Sequence, residues 1–476
     1  MIRLTAEEIG QGSGGRVVYG NPKESAITPC LDSRQAGTDG IMFCLRGEKT
    51  DGHRYIPSAA EQGCRIFAVE EEYMDLMYEE QKEKVKDCTF IAMNNVERGL
   101  QKLAAWYIEN RLNLKKTVAV TGSVGKTSTR DMIYAALSTE YVTGKNMKNF
   151  NSQVGLPITI LSFDETMEAA VLEMGMDGFG QIHQLVSIVH PDVAVITNIG
   201  ISHMERLGSQ QGILKAKLEV TDYFNEDNVL VINGNDHRLN NNENFADKKY
   251  RVIPSGSLKD KITEGFSVKN LKDMGVQGIS FTLYDREQEI PVRLQTPGAH
   301  NSVNAALAVD AARICGAVPV KCAKALERAE RTGNRLRLKE GRGIRIIDDS
   351  YNAAPVSTKS AICTLMNSQA DRRVAVLGDM NELGADSSKE HGETGAFAAE
   401  KAVDLIVAVG EKAKDLAEGA REYCRNHDSD TEVLYFNSRE DIYPEIDNIF
   451  RKGDLILLKA SRSLELEKLS DRILKG

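Results

Sequence analysis

The chain has no long apolar run, no paired cysteines and no surplus of positive charge, and each lack removes a class of protein. No stretch approaches the roughly 18–20 consecutive apolar residues of a membrane span, so none is expected. The opening residues, MIRLTAEEIG, carry no apolar core of signal-peptide length, which makes the cytoplasm the expected location. Net charge is −9. Nucleic-acid binding needs a basic face, so no nucleic-acid partner is expected, and anionic ligands would have to be held by local clusters. The eight cysteines (30, 44, 64, 88, 315, 322, 363 and 424) are dispersed, with no C-x-x-C pair. Free, mostly buried thiols are expected rather than a metal site. There is one tryptophan, Trp106, and neither an internal repeat nor a low-complexity tract.

What is present is an ordinary globular composition, 41% hydrophobic and 27% charged, over 476 residues. That length suits about three domains. The pattern predicts an α/β protein with boundaries near 113/114 and 334/335. Residues 1–113 read as a small N-terminal α/β domain, with strands at Ile41–Leu45 and Arg65–Val69 and helices at Tyr55–Gln62 and Met93–Asn110. Residues 114–334 read as a doubly wound nucleoside-triphosphatase-like core, with strands at Lys116–Val120, Ala169–Leu172, Val193–Thr197 and Asn228–Asn233. An antiparallel extension over 250–295 and an Ala-rich helix, Asn301–Cys315, follow, and Asn240–Asn244 reads as a surface loop. Residues 335–476 read as a Rossmann-like domain, with runs at Ile344–Ile347, Arg373–Leu377, Leu405–Val409, Glu432–Phe436 and Asp454–Leu458.

The strongest chemical signal is TGSVGKTST at 121–129, placed between a strand-like run and the helical pattern Lys126–Glu140. In that setting the backbone N–H groups of Gly122, Ser123, Gly125, Thr127 and Ser128 can point at phosphate oxygens. Lys126 adds a positive charge at the β/γ-phosphates, and the Thr127 hydroxyl can reach Mg²⁺. Only two residues separate Gly122 from Gly125, fewer than in the common pattern. Glu173 follows the strand Ala169–Leu172, where a hard carboxylate oxygen suits Mg²⁺. His203, after Thr197-Asn198-Ile199-Gly200, is a candidate metal ligand or hydrogen-bond donor, though imidazole is softer than Mg²⁺ prefers. Lys217, in ILKAKLEV, is by pattern a helix lysine expected at the solvent face. Asp348-Asp349-Ser350-Tyr351-Asn352, Gly378–Gly384 and Lys459-Ala460-Ser461-Arg462-Ser463 each follow a strand. Together they suggest three ligand loops at one end of one sheet. Asp32-Ser33-Arg34 and the segment 47–53 are polar, Gly-bearing loops of the same kind in the first domain.

Taken together these segments resemble the Mur ligases, ATP-dependent amide-bond-forming enzymes of peptidoglycan synthesis. The resemblance rests on DSR at 32–34, GEKTDGH at 47–53, TGSVGKTST, EMG at 173–175, TNIGISH at 197–203, AKLE at 216–219, GAHNSVNA at 298–305, DDSYNA at 348–353, LGDMNELG at 377–384 and KASRS at 459–463. The last three look most like the member that adds D-alanyl-D-alanine to UDP-N-acetylmuramoyl-tripeptide. The resemblance implies that ATP converts the peptide carboxylate to an acyl phosphate, which the amine then attacks. It implies Lys126, Glu173, His203 and Lys217 at the reacting centre. Thr127, Glu173, His203 and Lys217, the last carbamylated by CO₂, would serve two Mg²⁺ ions. His300, Asn301 and Asn304 would lie near adenine, and Arg335 and Asp349 would bind ATP. Ser33, Arg34 and 47–53 would hold the uridine diphosphate end, and Asn149 and Asn151 the peptide-bearing substrate. Tyr351, Asn352, Lys459, Ser461 and Arg462 would meet substrate from the last domain, which brings D-alanyl-D-alanine. A monomer is expected, whose third domain closes over the second so that Lys126 and Asp349 reach one ATP.

Three positions depart from that pattern: Ser152 stands where a second Asn is expected, Gln181 where an acid is, and Gly333 where a proline-containing turn begins. The alternatives are a sister ligase adding one amino acid, and a nucleotide-dependent binding protein that uses only the phosphate loop.

Overall fold

The β-branched run before the glycine-rich loop forms a strand, Lys116–Thr121, and the segment behind it a helix, Lys126–Leu137. The computed structural model describes the chain apart from residues 1, 48–49, 77, 148, 202–203, 259–263, 330–335 and 476. It packs as two compact units, each assembled from separated stretches. Met1–Thr121, Glu140–Ala194 and Leu218–Val229 make the first; Gly122–Thr139, Val195–Lys217 and Leu230–Gly476 make the second.

In the first unit, five strands run in the order Arg16–Tyr19, Thr89–Met93, Ile66–Glu70, Gly40–Phe43, Thr28–Cys30. All neighbours are parallel except the Arg16–Tyr19 edge. The inner strands are apolar and covered on both faces, as parallel strands require. A helix expected from Met93 instead starts at Val96, because Met93 ends a strand and Asn95 caps the helix through the N–H of Arg98 at 2.8 Å. Ala169–Glu173 lies parallel between Lys116–Thr121 and Thr143–Lys145, with Glu173 in register with Val120. Glu173 is thus the last residue of its strand rather than the first beyond it.

In the second unit, the expected antiparallel extension is a sheet of Ser267–Asp273, Ile279–Tyr284 and Glu289–Leu294. The helix His300–Ile314 is buried along most of its length. The C-terminal sheet has the order Arg337–Gly341, Ile344–Asp348, Asp454–Lys459, Arg372–Gly378, Leu405–Val409, Glu432–Phe436. Five strands are parallel and the first is antiparallel. Strand alternation splits the core. Ile347, Leu377, Ala408 and Leu457 face one helical layer, and Ile346, Val376, Val407 and Ile456 face the other. Arg337–Gly341 was not foreseeable from an apolar run, since it is mostly exposed. It is held by a two-residue turn in which Arg342 and Gly343 both take positive φ. All eight cysteines are free, and six are buried. Among the described residues no helix is long and apolar enough to cross a membrane.

Candidate functional site

The glycine-rich loop is pinned by the segment that follows the strand Val193–Ile196. The Asn198 side chain clamps Val124 from both sides, accepting from its N–H at 3.0 Å and donating to its carbonyl at 2.9 Å. Thr197 donates to the same carbonyl at 2.6 Å, and the N–H of Gly200 donates to the Ser123 hydroxyl at 2.8 Å. Gly122 has φ +145, and a Cβ there would lie 1.9 Å from the Thr197 hydroxyl oxygen, so only glycine fits. Gly125, in the left-handed region, begins the helix. The Lys126 ammonium folds over the loop and donates to the Gly122 carbonyl at 2.7 Å. The loop therefore presents a helix N-terminus and a lysine to one space, an arrangement that attracts phosphate.

That space is a cavity of about 480 Å³ walled by Ser123 to Ser128, Asn198, His300, Asn301, Asn304, Asp349, Tyr351, Asn352 and Lys459. Its size suits a nucleotide-sized ligand. Lys126 and Asp349 already stand on its walls. Asn304 donates to Asn301 at 3.1 Å, and Asn301 to the Pro297 carbonyl at 2.7 Å, which fixes both amides at the helix start. His300 shares a 2.7 Å hydrogen bond with the Ser360 hydroxyl. Its ring is open to the cavity, yet enough protein surrounds it that desolvation lowers its pKa. Opposite, the buried Lys459 donates to Asp349 Oδ2 at 2.6 Å and to the Asn352 carbonyl at 2.8 Å.

The three C-terminal loops follow neighbouring parallel strands, as the sequence predicts. Asp348 ends its strand, fully buried, accepting from the Ser350 hydroxyl at 2.5 Å and facing Lys339 at 2.8 Å. Ser461 is buried and its hydroxyl accepts from the N–H of Asn381 at 2.9 Å. Arg462 pairs with Glu467 at 2.6 Å and stays largely exposed.

Lys217 reverses the sequence expectation. Its helix, Gln210–Leu218, turns this side chain inward, and it is 2% exposed. The helix is too short and too evenly mixed for periodicity to mark its inner face. Burial, with a smaller contribution from the positive charge of Lys126, lowers the Lys217 pKa well below that of an ordinary lysine. Among the described residues its ammonium has no carboxylate partner.

The first unit carries the other candidates. Glu173 is 3% exposed. Its Oε1 accepts from Asn151 at 2.8 Å, and its backbone N–H donates to the buried Asn146 at 2.5 Å. Asn146, which the sequence did not single out, also donates to the carbonyls of Phe150 and Glu173. It thereby shapes the segment bearing Asn149 and Asn151. Asn149 is exposed and its carbonyl accepts from the N–H of Asn151 at 2.8 Å. Two departures find local uses: the Ser152 hydroxyl accepts from the N–H of Gly155, and Gln181 accepts from that of Asp177. Ser33 begins a short turn in which Asp32 accepts from the N–H of Arg34 at 3.0 Å and its carboxylate holds the Arg34 guanidinium at 2.6 Å. Arg34 holds the Asp32 pKa down to about 2. His53 is buried, between Asp51 at 2.6 Å and the N–H of Glu70 at 3.0 Å, so it supports its loop from within. His203 and Arg335, with Gly333 and residues 48–49, lie outside the described residues.

Thr127 in the second unit and Glu173 in the first each carry an oxygen donor, the kind of atom that Mg²⁺ prefers. Among the described residues no group of three or more His, Cys, Asp or Glu side chains could hold a metal by itself. A cation would need phosphate oxygens as further ligands.

Residues 30–107 match the model of the Mur ligase family catalytic domain, 120–312 that of the Mur ligase middle domain, and 334–462 that of the Mur ligase glutamate ligase domain. The UDP-N-acetylmuramoyl-tripeptide–D-alanyl-D-alanine ligase of Bacillus subtilis (strain 168) is 34% identical over 472 residues, covering 98% of each chain. The enzyme of that name from Haemophilus influenzae is 28% identical, covering 99% of this chain and 100% of its own. A crystal structure of MurF from Acinetobacter baumannii superposes with a TM-score of 0.87 at 27% identity, over 100% of both chains.

Proposed function

The chain belongs to the Mur ligase family of ATP-dependent ligases, and from that premise we propose that it joins D-alanyl-D-alanine to UDP-N-acetylmuramoyl-tripeptide. One structural observation carries the chemistry: the phosphate loop with Lys126 and the Asp349–Lys459 pair wall a single cavity. The acceptor identity is supported by relatives of that activity matched along nearly their full length. The loops 348–353, 377–384 and 459–463 support the same choice.

A carboxylate is a poor electrophile. Its oxygen attacks the γ-phosphorus, ADP leaves, and the acyl phosphate has a good leaving group. The amine then attacks the carbonyl carbon and expels phosphate. Holding the reactants together removes much of the entropic barrier. The loop N–H groups and Lys126 stabilise charge on the phosphoryl group as it transfers. Thr127 and Glu173 are the described side chains proposed for Mg²⁺, which supplies further neutralisation of phosphate charge when bound. Ser33 and Arg34 are assigned to the uridine diphosphate end, and Asn149 and Asn151 to the peptide-bearing substrate. His300, Asn301 and Asn304 are assigned to the adenine side, Asp349 to ATP, and Tyr351, Asn352, Ser461 and Arg462 to the acceptor side. Lys217 is proposed as a carbamylation site: its neutral amine attacks CO₂, an N–C bond forms and a proton is released. Burial keeps enough of the amine neutral for that step.

The test is phosphate release from ATP with UDP-N-acetylmuramoyl-tripeptide and Mg²⁺, with and without D-alanyl-D-alanine, followed by product mass. Release only with all components, with a pentapeptide mass, is expected. Release with a single amino acid and a shorter peptide instead would assign the chain to a sister ligase.

A further inference from the structure

We propose that His391 is a positioning residue for the acceptor side of this site, holding the loop 378–384 in the shape to which the loop 460–463 is bonded. This rests on the ligase reading above. His391 lies in the helix Ser387–Glu400 and is fully buried. Both ring nitrogens are committed. Nε2 accepts the N–H of Met380 at 2.9 Å, and Nδ1 faces the Ser387 carbonyl at 2.7 Å. A backbone N–H can only donate and a carbonyl can only accept, so the ring is the neutral tautomer with its proton on Nδ1.

Met380 is the hub of the segment. Its side chain packs with Ala353 and Leu383 and accepts from the Thr358 hydroxyl at 3.7 Å. On one side, the Asp379 carbonyl accepts from the N–H of Ser461 at 2.9 Å. On the other, Asn381 donates through its N–H to the Ser461 hydroxyl at 2.9 Å and through its amide to Ser463 at 3.2 Å. Two residues on, Glu382 takes φ +66, a backbone state that persists only where its surroundings enforce it. The imidazole is one such restraint. It acts from outside the cavity wall, through Met380 and then Ser461.

The charged groups facing the ring are Asp379, Asp415 and Lys412. Burial outweighs the Ser387 carbonyl bond and the two carboxylates and lowers the His391 pKa. Protonation of Nε2 would set one donor against another and bury a charge.

The experiment is steady-state kinetics of His391→Phe and His391→Gln beside the natural protein. Phenylalanine fills the ring volume without an acceptor, whereas a glutamine amide oxygen can reach the Met380 N–H. For His391→Phe, KM for D-alanyl-D-alanine should rise about tenfold, the cost of one unsatisfied buried donor, with KM for ATP within about twofold. In the natural protein, ring protonation should lower kcat/KM for the acceptor at acid pH; His391→Gln should restore most of the acceptor affinity and abolish that fall. If His391→Phe does not fold, His391→Asn, which can keep the Ser387 bond but not the Met380 bond, should show the same rise. An unchanged acceptor KM, or equal rises for ATP and acceptor, would overturn the inference. Absence of turnover in the natural protein would instead remove the ligase reading on which it depends.

Discussion

The Lys459 ammonium lies 2.6 Å from Asp349 Oδ2 and 2.8 Å from the Asn352 carbonyl, so the end of one strand is fastened to the loop that follows its neighbour. Lys459 is buried while Asp349 faces the cavity. The lysine therefore sets the direction of the carboxylate, besides any contact it makes with substrate. Removing it would leave a mostly buried carboxylate without its partner, a loss of about 3–5 kcal/mol when such a pair is broken. Lys459→Met should lower Tm clearly and raise KM for ATP at least tenfold, read by thermal melting and phosphate release. An unchanged KM for ATP would detach Asp349 from the nucleotide.

Gly122→Ala tests the loop geometry. The added Cβ meets the Thr197 hydroxyl oxygen at 1.9 Å, on a backbone with φ +145. The loop must shift, at about 1–3 kcal/mol of strain. Binding of a fluorescent ATP analogue should weaken about tenfold or more, and the melting temperature should fall with the strain. Full affinity would show that the loop does not hold phosphate in this shape.

With CO₂ excluded, the buried Lys217 amine gives stability a pH dependence of known sign. Its folded pKa lies well below the unfolded value of about 10.4. The unfolded chain binds more protons between those values, so stability should rise with pH through that window and level off above it. Lys217→Met should stabilise the fold at neutral pH and lose that advantage above about pH 10.4. The same variant should be inactive, and short carboxylates should partly restore turnover to Lys217→Ala. Full activity of the unrescued variant would remove Lys217 from the reaction.

Asp310 gives the opposite slope. Buried beside Ser255, the N–H of Phe266 and Arg313, its carboxyl is pushed up to about 6, chiefly by desolvation. Its folded pKa exceeds the unfolded value of about 3.9, so the folded state holds the proton more tightly. Stability should fall as pH rises from about 4 to 6 and stay lowered above that. Melting curves of the natural protein and Asp310→Asn over this range should differ in slope. Parallel curves would contradict the assignment.

Much of this site was legible because its residues follow apolar strands. TGSVGKTST, TNIG, DDSYNA and KASRS each begin where an apolar run stops, and open parallel sheets place their ligand loops there. The same rule anticipated three loops at one end of the C-terminal sheet. What the sequence hid depends on tertiary packing. The inward turn of Lys217, the Asn198 clamp on Val124, the Asn146 brace beneath Glu173 and the His391 bond to Met380 have no periodic signature. The edge strand Arg337–Gly341 is mostly exposed and has no apolar run to mark it.

The central claim is that the substrate carboxylate passes through an acyl phosphate before meeting D-alanyl-D-alanine. The measurement is turnover of UDP-N-acetylmuramoyl-tripeptide labelled with ¹⁸O in its terminal carboxylate, with mass analysis of the released phosphate. Attack of a carboxylate oxygen on the γ-phosphorus predicts one ¹⁸O in each phosphate and one in each new amide. Phosphate released without label alongside pentapeptide would contradict it.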